Sequence, residues 1–275
     1  VDLLQAVILG VVEGLTEFLP VSSTGHLTIV EKMMGFSIDD DTVTAFTVVI
    51  QMGAILAVIF FFWRDIWNIV RAWFRGIGDP SVRGSLDYRM GWYVIVGTIP
   101  VVIVGVAGDS VITGPLRNLW WVVAGLMGWS VVMVLAERMA RQDRGVQEVT
   151  MRDSVVMGVV QCLSLIPGVS RSGATISAGL FVGLDRVTAT RMSFLLSIPA
   201  LVGAGLKELP SAVTGDIPVG YTLVATGVSF VVAYAAVAWL LKFVAGHPIT
   251  WFVPYRVGLG VVLAVLLATG TVSPT

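Results

Sequence analysis

Six stretches of the chain are apolar almost without interruption: residues 45–63, 91–107, 118–136, 193–207, 219–241 and 251–270. Hydrocarbon about 30 Å thick needs roughly 20 apolar residues per helix. Each run therefore predicts a membrane-spanning helix, the fourth a short one. Two further hydrophobic segments, residues 1–36 and 153–185, are interrupted midway, at Pro20-Val21-Ser22-Ser23-Thr24-Gly25 and at Pro167-Gly168-Val169-Ser170-Arg171-Ser172-Gly173. Non-helical backbone at membrane depth survives only where it is buried in protein or lines a wet cavity. The expected fold is an all-α polytopic membrane protein, a single integral membrane domain over residues 1–275, with six transmembrane helices and two re-entrant helical hairpins.

Charge fixes the expected orientation. Arg64, Arg71, Arg75, Arg83 and Arg89 share the loop 64–90, and Arg138, Arg141, Arg144 and Arg152 share 138–152. The positive-inside rule puts both in the cytoplasm, so the Gly108–Asn118 connection turns outside. Counting crossings from there places Asp39, Asp40, Asp41 and the connection 208–218 outside, and Arg186, Arg191 and a loop at Lys242 inside. The hairpin 1–36 then dips in from outside and the hairpin 153–185 from inside.

The broken segments also match in sequence at a constant offset of 148 residues: Gly10-Val11-Val12 with Gly158-Val159-Val160, Leu15 with Leu163, Val21-Ser22 with Val169-Ser170, Gly25 with Gly173, then Phe46 and Ile50 with Phe194 and Ile198. Similar sequence in opposite orientation predicts an inverted-topology repeat, about 1–107 and 153–241, whose broken helices meet near the bilayer midplane and form the site there.

Composition adds exclusions. The chain is 56% hydrophobic and 13% charged, with a mean hydropathy of +0.89, against about a quarter charged residues in soluble domains. A net charge of -1 offers no basic excess for nucleic acid. The single Cys162 excludes an intramolecular disulfide and a Cys-based metal site and reads as a small buried residue. The first apolar run lacks a basic leader, so no cleavable signal peptide is expected. Gly and Ala in the spans would permit close helix contacts, including those of a homodimer.

The polar residues of the breaks carry the chemistry. Glu13 and Glu17, spaced i, i+4, share one helix face; carboxylates at membrane depth should point inward, where they suit a general base or a divalent-cation site. Ser22, Ser23 and Thr24 open the helix that contains Gly25 and His26, and Ser170, Arg171 and Ser172 open the matching one before Gly173 and Thr175. One hydroxyl at each start serves as N-cap. The remaining hydroxyls and the helix ends make an anion site. Arg171, with its planar fork, suits phosphate oxygens, or an ion pair with Glu13 or Glu17 at rest. His26 is a candidate acid, base or phosphate donor, whereas His247 attracts no such reading. In the second half Gln161, Leu165 and Ala174 replace Glu13, Glu17 and His26, a division that suits an enzyme better than a symmetrical transporter or lipid flippase, the competing class.

The run Glu13-Gly14-Leu15-Thr16-Glu17-Phe18-Leu19-Pro20-Val21-Ser22-Ser23-Thr24-Gly25-His26, together with Pro167 to Thr175, Ile50-Gln51-Met52-Gly53 and Ser193 to Pro199, resembles the undecaprenyl-diphosphate phosphatases of bacteria, also called the bacitracin resistance protein family. The resemblance implies removal of the terminal phosphate of the C55 lipid undecaprenyl diphosphate at the outer side of the plasma membrane. That reaction recycles the carrier for peptidoglycan synthesis, and it depends on a divalent cation, Mg²⁺ or Ca²⁺. It further implies catalytic roles for Glu13, Glu17, Ser23, His26 and Arg171, with Glu13 and Glu17 as metal ligands. Ser22, Thr24, Gly25, Ser170, Ser172, Gly173 and Thr175 would line the substrate. Either Ser23 or water could be the nucleophile, and either Glu17 or His26 its base.

Overall fold

The computed structural model describes residues 1–36, 41–214 and 217–274, without the side chains of residue 41 and residues 211–214. Asp39, Asp40 and the Asp41 side chain therefore lie outside the described residues. The described chain is helical, with an isolated bridge between Arg144 and Leu184. In order the helices are α1 (Leu3–Thr16), α2 (Ser23–Met33), α3 (Asp41–Phe61), α4 (Trp63–Gly78), α5 (Leu86–Ala107), α6 (Asp109–Ile112), α7 (Leu119–Met139), α8 (Met151–Gln161), α9 (Arg171–Phe181), α10 (Arg186–Thr214), α11 (Val219–Gly246) and α12 (Val253–Ala268). Among the described residues six are long and apolar enough to cross a membrane: α3, α5, α7, α10, α11 and α12 with its preceding 3-10 turn. These are the six runs legible in the sequence.

Three boundaries differ from expectation. The fourth span is not short: α10 begins at Arg186, because Asp185 accepts from the Thr188 amide at 2.7 Å and caps it there, so Arg186 and Arg191 ride on the helix. Lys242 is not in a loop but in the last turns of α11. Residues 64–90 are not a plain loop either, since 63–78 form α4. Its exposed apolar stripe of Trp63, Trp67, Val70, Phe74 and Ile77 runs beside Arg64, Arg71 and Arg75, the pattern of a helix lying in a membrane surface.

Ion pairs gather the charged helix ends into two groups. At one end Asp65 pairs with Arg191 at 2.9 Å, Arg186 with Glu137, and Arg144 with Asp153 at 2.6 Å, while the Ile249 amide donates to Glu137. At the other, Lys207 pairs with Asp109 at 2.9 Å.

The two broken segments pack through their matched glycines. Gly10 lies against the Ala225 carbonyl of α11, where an added Cβ would come within 2.6 Å of the oxygen, and Gly158 lies against the Gly97 backbone of α5. Ser154 reinforces the second contact by donating to the Tyr93 carbonyl at 2.6 Å. Between them sits the main core, where Phe18 of the first break meets Phe194 of α10 edge-on at 5.2 Å. Van der Waals packing of small residues is the main force available between helices in lipid, so these contacts hold each broken segment against its neighbour.

Candidate active site

Each break ends on a serine in an unfavourable backbone conformation. Ser22 has φ 76° and Ser170 φ 75°, two of the three non-glycine residues with positive φ among those described. Such strain costs of order 1–3 kcal/mol and persists only where the surroundings impose it. In both, the hydroxyl caps the following helix: Ser22 Oγ accepts from the Gly25 amide at 3.3 Å, and Ser170 Oγ from the Gly173 amide at 3.1 Å. The preceding amides, of Ser23 and Thr24 and of Arg171 and Ser172, begin helices and so lack an intrahelical acceptor.

The breaks touch. Ser172 Oγ donates to the Leu19 carbonyl at 2.9 Å, and the Arg171 guanidinium donates to Glu17 Oε1 at 2.8 Å while lying 5.5 Å from the Phe18 ring centroid. The other Glu17 oxygen accepts from Ser23 Oγ at 2.6 Å. One carboxylate thus joins the hydroxyl of one break to the cation of the other. Nη1 of Arg171 is buried and without a partner among the described residues, a fork with one tine free. One turn back on α1, Glu13 is fully buried. Glu17, Arg171 and Gln51 stand near it, yet neither of its oxygens has a hydrogen-bond partner among the described residues. An unpartnered carboxylate buried beside a second one fits a hard divalent cation. No group of three or more His, Cys, Asp or Glu side chains suited to a metal occurs among the described residues, so other ligands would come from water or substrate oxygens.

A family model described as bacitracin resistance protein BacA matches residues 6–262. The chain belongs to the bacitracin resistance protein family. Relatives within reach of full-length alignment include the undecaprenyl-diphosphatase of Acidothermus cellulolyticus, 56% identical with 98% of each chain covered. Undecaprenyl-diphosphatase 3 of Frankia casuarinae is 52% identical, with 100% of each covered. The undecaprenyl-diphosphatase of Corynebacterium glutamicum is 48% identical over 98% of this chain and 92% of its own. Six apolar spans and this membership make the chain a multi-pass bacterial membrane protein.

Of the residues singled out in this family member, Glu13, Glu17, Ser23 and Arg171 converge. Thr24 is exposed at the start of α2. Thr175 is fully buried, its hydroxyl bonded to the Arg171 carbonyl at 2.8 Å and to Ser193 Oγ at 2.5 Å, so it holds the helix start from behind. His26 Nδ1 lies 2.7 Å from the Ser22 carbonyl and Nε2 lies 2.6 Å from the Tyr255 hydroxyl. Sequence reasoning missed Tyr255 and its neighbour Arg256. Arg256 is fully buried and donates to the carbonyls of Pro20, Gly168 and Val169 at 2.9, 2.9 and 3.1 Å, and to Gly125, Leu126 and Ser130 of α7. It bridges both breaks with carbonyl dipoles as its counter-charge. An arginine inside an apolar run was the signal available.

Proposed function

We propose that the chain hydrolyses the terminal phosphate of undecaprenyl diphosphate, releasing inorganic phosphate and the monophosphate carrier lipid used in peptidoglycan synthesis, the activity that underlies bacitracin resistance. The observation that carries the reading is Glu17, hydrogen-bonded at once to Ser23 and to Arg171, in a chain whose full-length relatives are named undecaprenyl-diphosphatase. Phosphoryl transfer needs positioning and charge stabilisation more than covalent help, and a nucleophile within hydrogen-bond reach of its base is the expected arrangement.

Ser23 Oγ attacks the terminal phosphorus as its proton passes to Glu17 Oε2. The bond from that phosphorus to the bridging oxygen breaks, and the lipid monophosphate leaves with that oxygen. Water then attacks the phosphoserine, releases phosphate and restores Ser23. Arg171 uses its free Nη1 and the first-turn amides of α2 and α9 to hold the phosphate oxygens, while His26 contacts the phosphate from the α2 side. Glu13 and Glu17 would hold a divalent cation, Mg²⁺ or Ca²⁺, which when bound supplies further charge neutralisation.

In this reading the segments α1–α2 and α8–α9 are re-entrant hairpins of an inverted repeat, about 1–107 and 153–241 within one membrane domain. The exchanged packing supports it, since Gly10 of the first half lies on α11 and Gly158 of the second on α5. With the arginine-rich end in the cytoplasm, the first hairpin enters from the outer face, and so does the substrate headgroup. The test is phosphate release by purified protein with divalent cation present, with acid-stable phosphate sought on Ser23. Turnover retained in Ser23→Ala would make water the nucleophile. Transport of the lipid in vesicles without hydrolysis would overturn the reading.

A further inference from the structure

We infer that Tyr255 is a positioning residue for this reaction, fixing His26 as a neutral imidazole in one tautomer and handing it to the substrate. The inference rests on the phosphatase reading only for its consequence in turnover; the pairing itself is independent of it.

A backbone carbonyl can only accept, so the 2.7 Å contact between Nδ1 and the Ser22 carbonyl puts a proton on Nδ1. In the neutral ring Nε2 then carries a lone pair, and the Tyr255 hydroxyl at 2.6 Å donates to it. The rings lie nearly parallel, 11° apart with centroids at 5.5 Å. Burial of the ring, and after it the cation of Arg256 next to Tyr255 on α12, oppose a second proton on His26. The two anchors differ in permanence. Ser22 is buried and locked by its own cap bond, whereas Tyr255 is 53% exposed and can swing aside.

These features give His26 two states with one geometry. At rest the phenol occupies Nε2 and leaves no free acceptor for a stray proton. When a diphosphate enters, the phenol yields, and Nε2, with the ring already turned by Ser22, accepts from a protonated phosphate oxygen. A proton arriving on Nε2 needs only a rotation of the phenolic hydrogen, after which Nε2–H donates to the tyrosine oxygen. The sequence contains two histidines, His26 and His247, so the ring nitrogens of His26 can be resolved individually.

The full chain, labelled with ¹⁵N-histidine and reconstituted in lipid, tests this, with His247→Gln giving the assignment. The wild-type spectrum should show His26 in a single tautomer, Nδ1 protonated and Nε2 accepting a hydrogen bond. In Tyr255→Phe, which keeps the ring, the Nε2 signal should move to that of an unbonded nitrogen or split between tautomers. Phosphate release should then fall about tenfold in kcat with KM changed less than twofold, a fraction of the 10²–10⁴ that a positioned acid or base supplies. An Nε2-protonated wild type, or a Tyr255→Phe protein with unchanged nitrogen signals or unchanged kcat, would overturn the proposal. Wild-type protein that releases no phosphate would sink the phosphatase reading instead, and the spectrum would still decide the pairing.

Discussion

The first and second breaks share a backbone and divide the chemistry. Ser22 and Ser170 take φ values within a degree of each other, and each hydroxyl caps a helix through the glycine three residues on. Around this common frame the first break carries Glu13, Glu17, Ser23 and His26, and the second carries Arg171. Glu17 reaches across to Arg171 at 2.8 Å. Gln161, at the position matching Glu13, is also buried with both polar side-chain atoms unpartnered among the described residues. One backbone arrangement, a strained serine that caps the helix behind it, thus presents different charges in the two breaks.

The largest effect is expected at Arg256, which serves both breaks. Arg256→Met removes the donor from carbonyls of Pro20, Gly168 and Val169 together. Leaving buried polar groups unpaired costs roughly 1–3 kcal/mol each, so a loss of about 3–5 kcal/mol is expected. Thermal unfolding in detergent measures it, and phosphate release should vanish with it. Arg256 variants of wild-type stability would show that the breaks hold without a common clamp.

Next comes the bond that joins the unequal halves. Glu17→Gln keeps the shape but cannot take the Ser23 proton or neutralise Arg171, and the rate of phosphate release should fall by about 10²–10³. Arg171→Lys, which loses the planar fork, should lose a smaller factor of about 10–10² with a raised KM. If the lysine variant were fully active, Arg171 would be a point charge and not a clamp.

The shared frame is tested by twin substitutions. Gly10→Ala and Gly158→Ala each drive a methyl into facing backbone, and overpacking of this kind typically costs about 1–3 kcal/mol. Similar losses in unfolding temperature would support equivalent packing of the halves; a large effect at one alone would show that only that segment is held by close approach. The smallest effect is expected at the caps. Ser22→Ala and Ser170→Ala should each cost about 1 kcal/mol, whereas the glycine variants lose the cap but relieve positive φ and should come close to wild type.

Much of this was legible because membrane solvation is strict. A run of apolar residues long enough to span had to be a helix, so the six spans and both breaks could be read directly. Boundaries were less legible. The start of α10 depends on a cap bond from Asp185, and α4 shows its nature only through its two faces, which a reading of 64–90 as a basic loop conceals. In the site, carboxylates and an arginine at depth announced themselves by cost alone. Arg256 carried the same signal, diluted by the apolar majority of its span, and Tyr255 carried none.

The sequence by itself determined the membrane class, the place of the two breaks along the chain and the residue types available there, because burial in hydrocarbon penalises every unpaired polar group and leaves few arrangements open. Only the tertiary structure decided which groups meet. That Glu17 and not Glu13 holds Ser23, that Arg171 answers across 154 positions of chain, and that Tyr255 and Arg256 complete the site follow from how α1, α9 and α12 pack. Such contacts depend on ångström-scale approach between distant segments, and no local pattern along the chain encodes them.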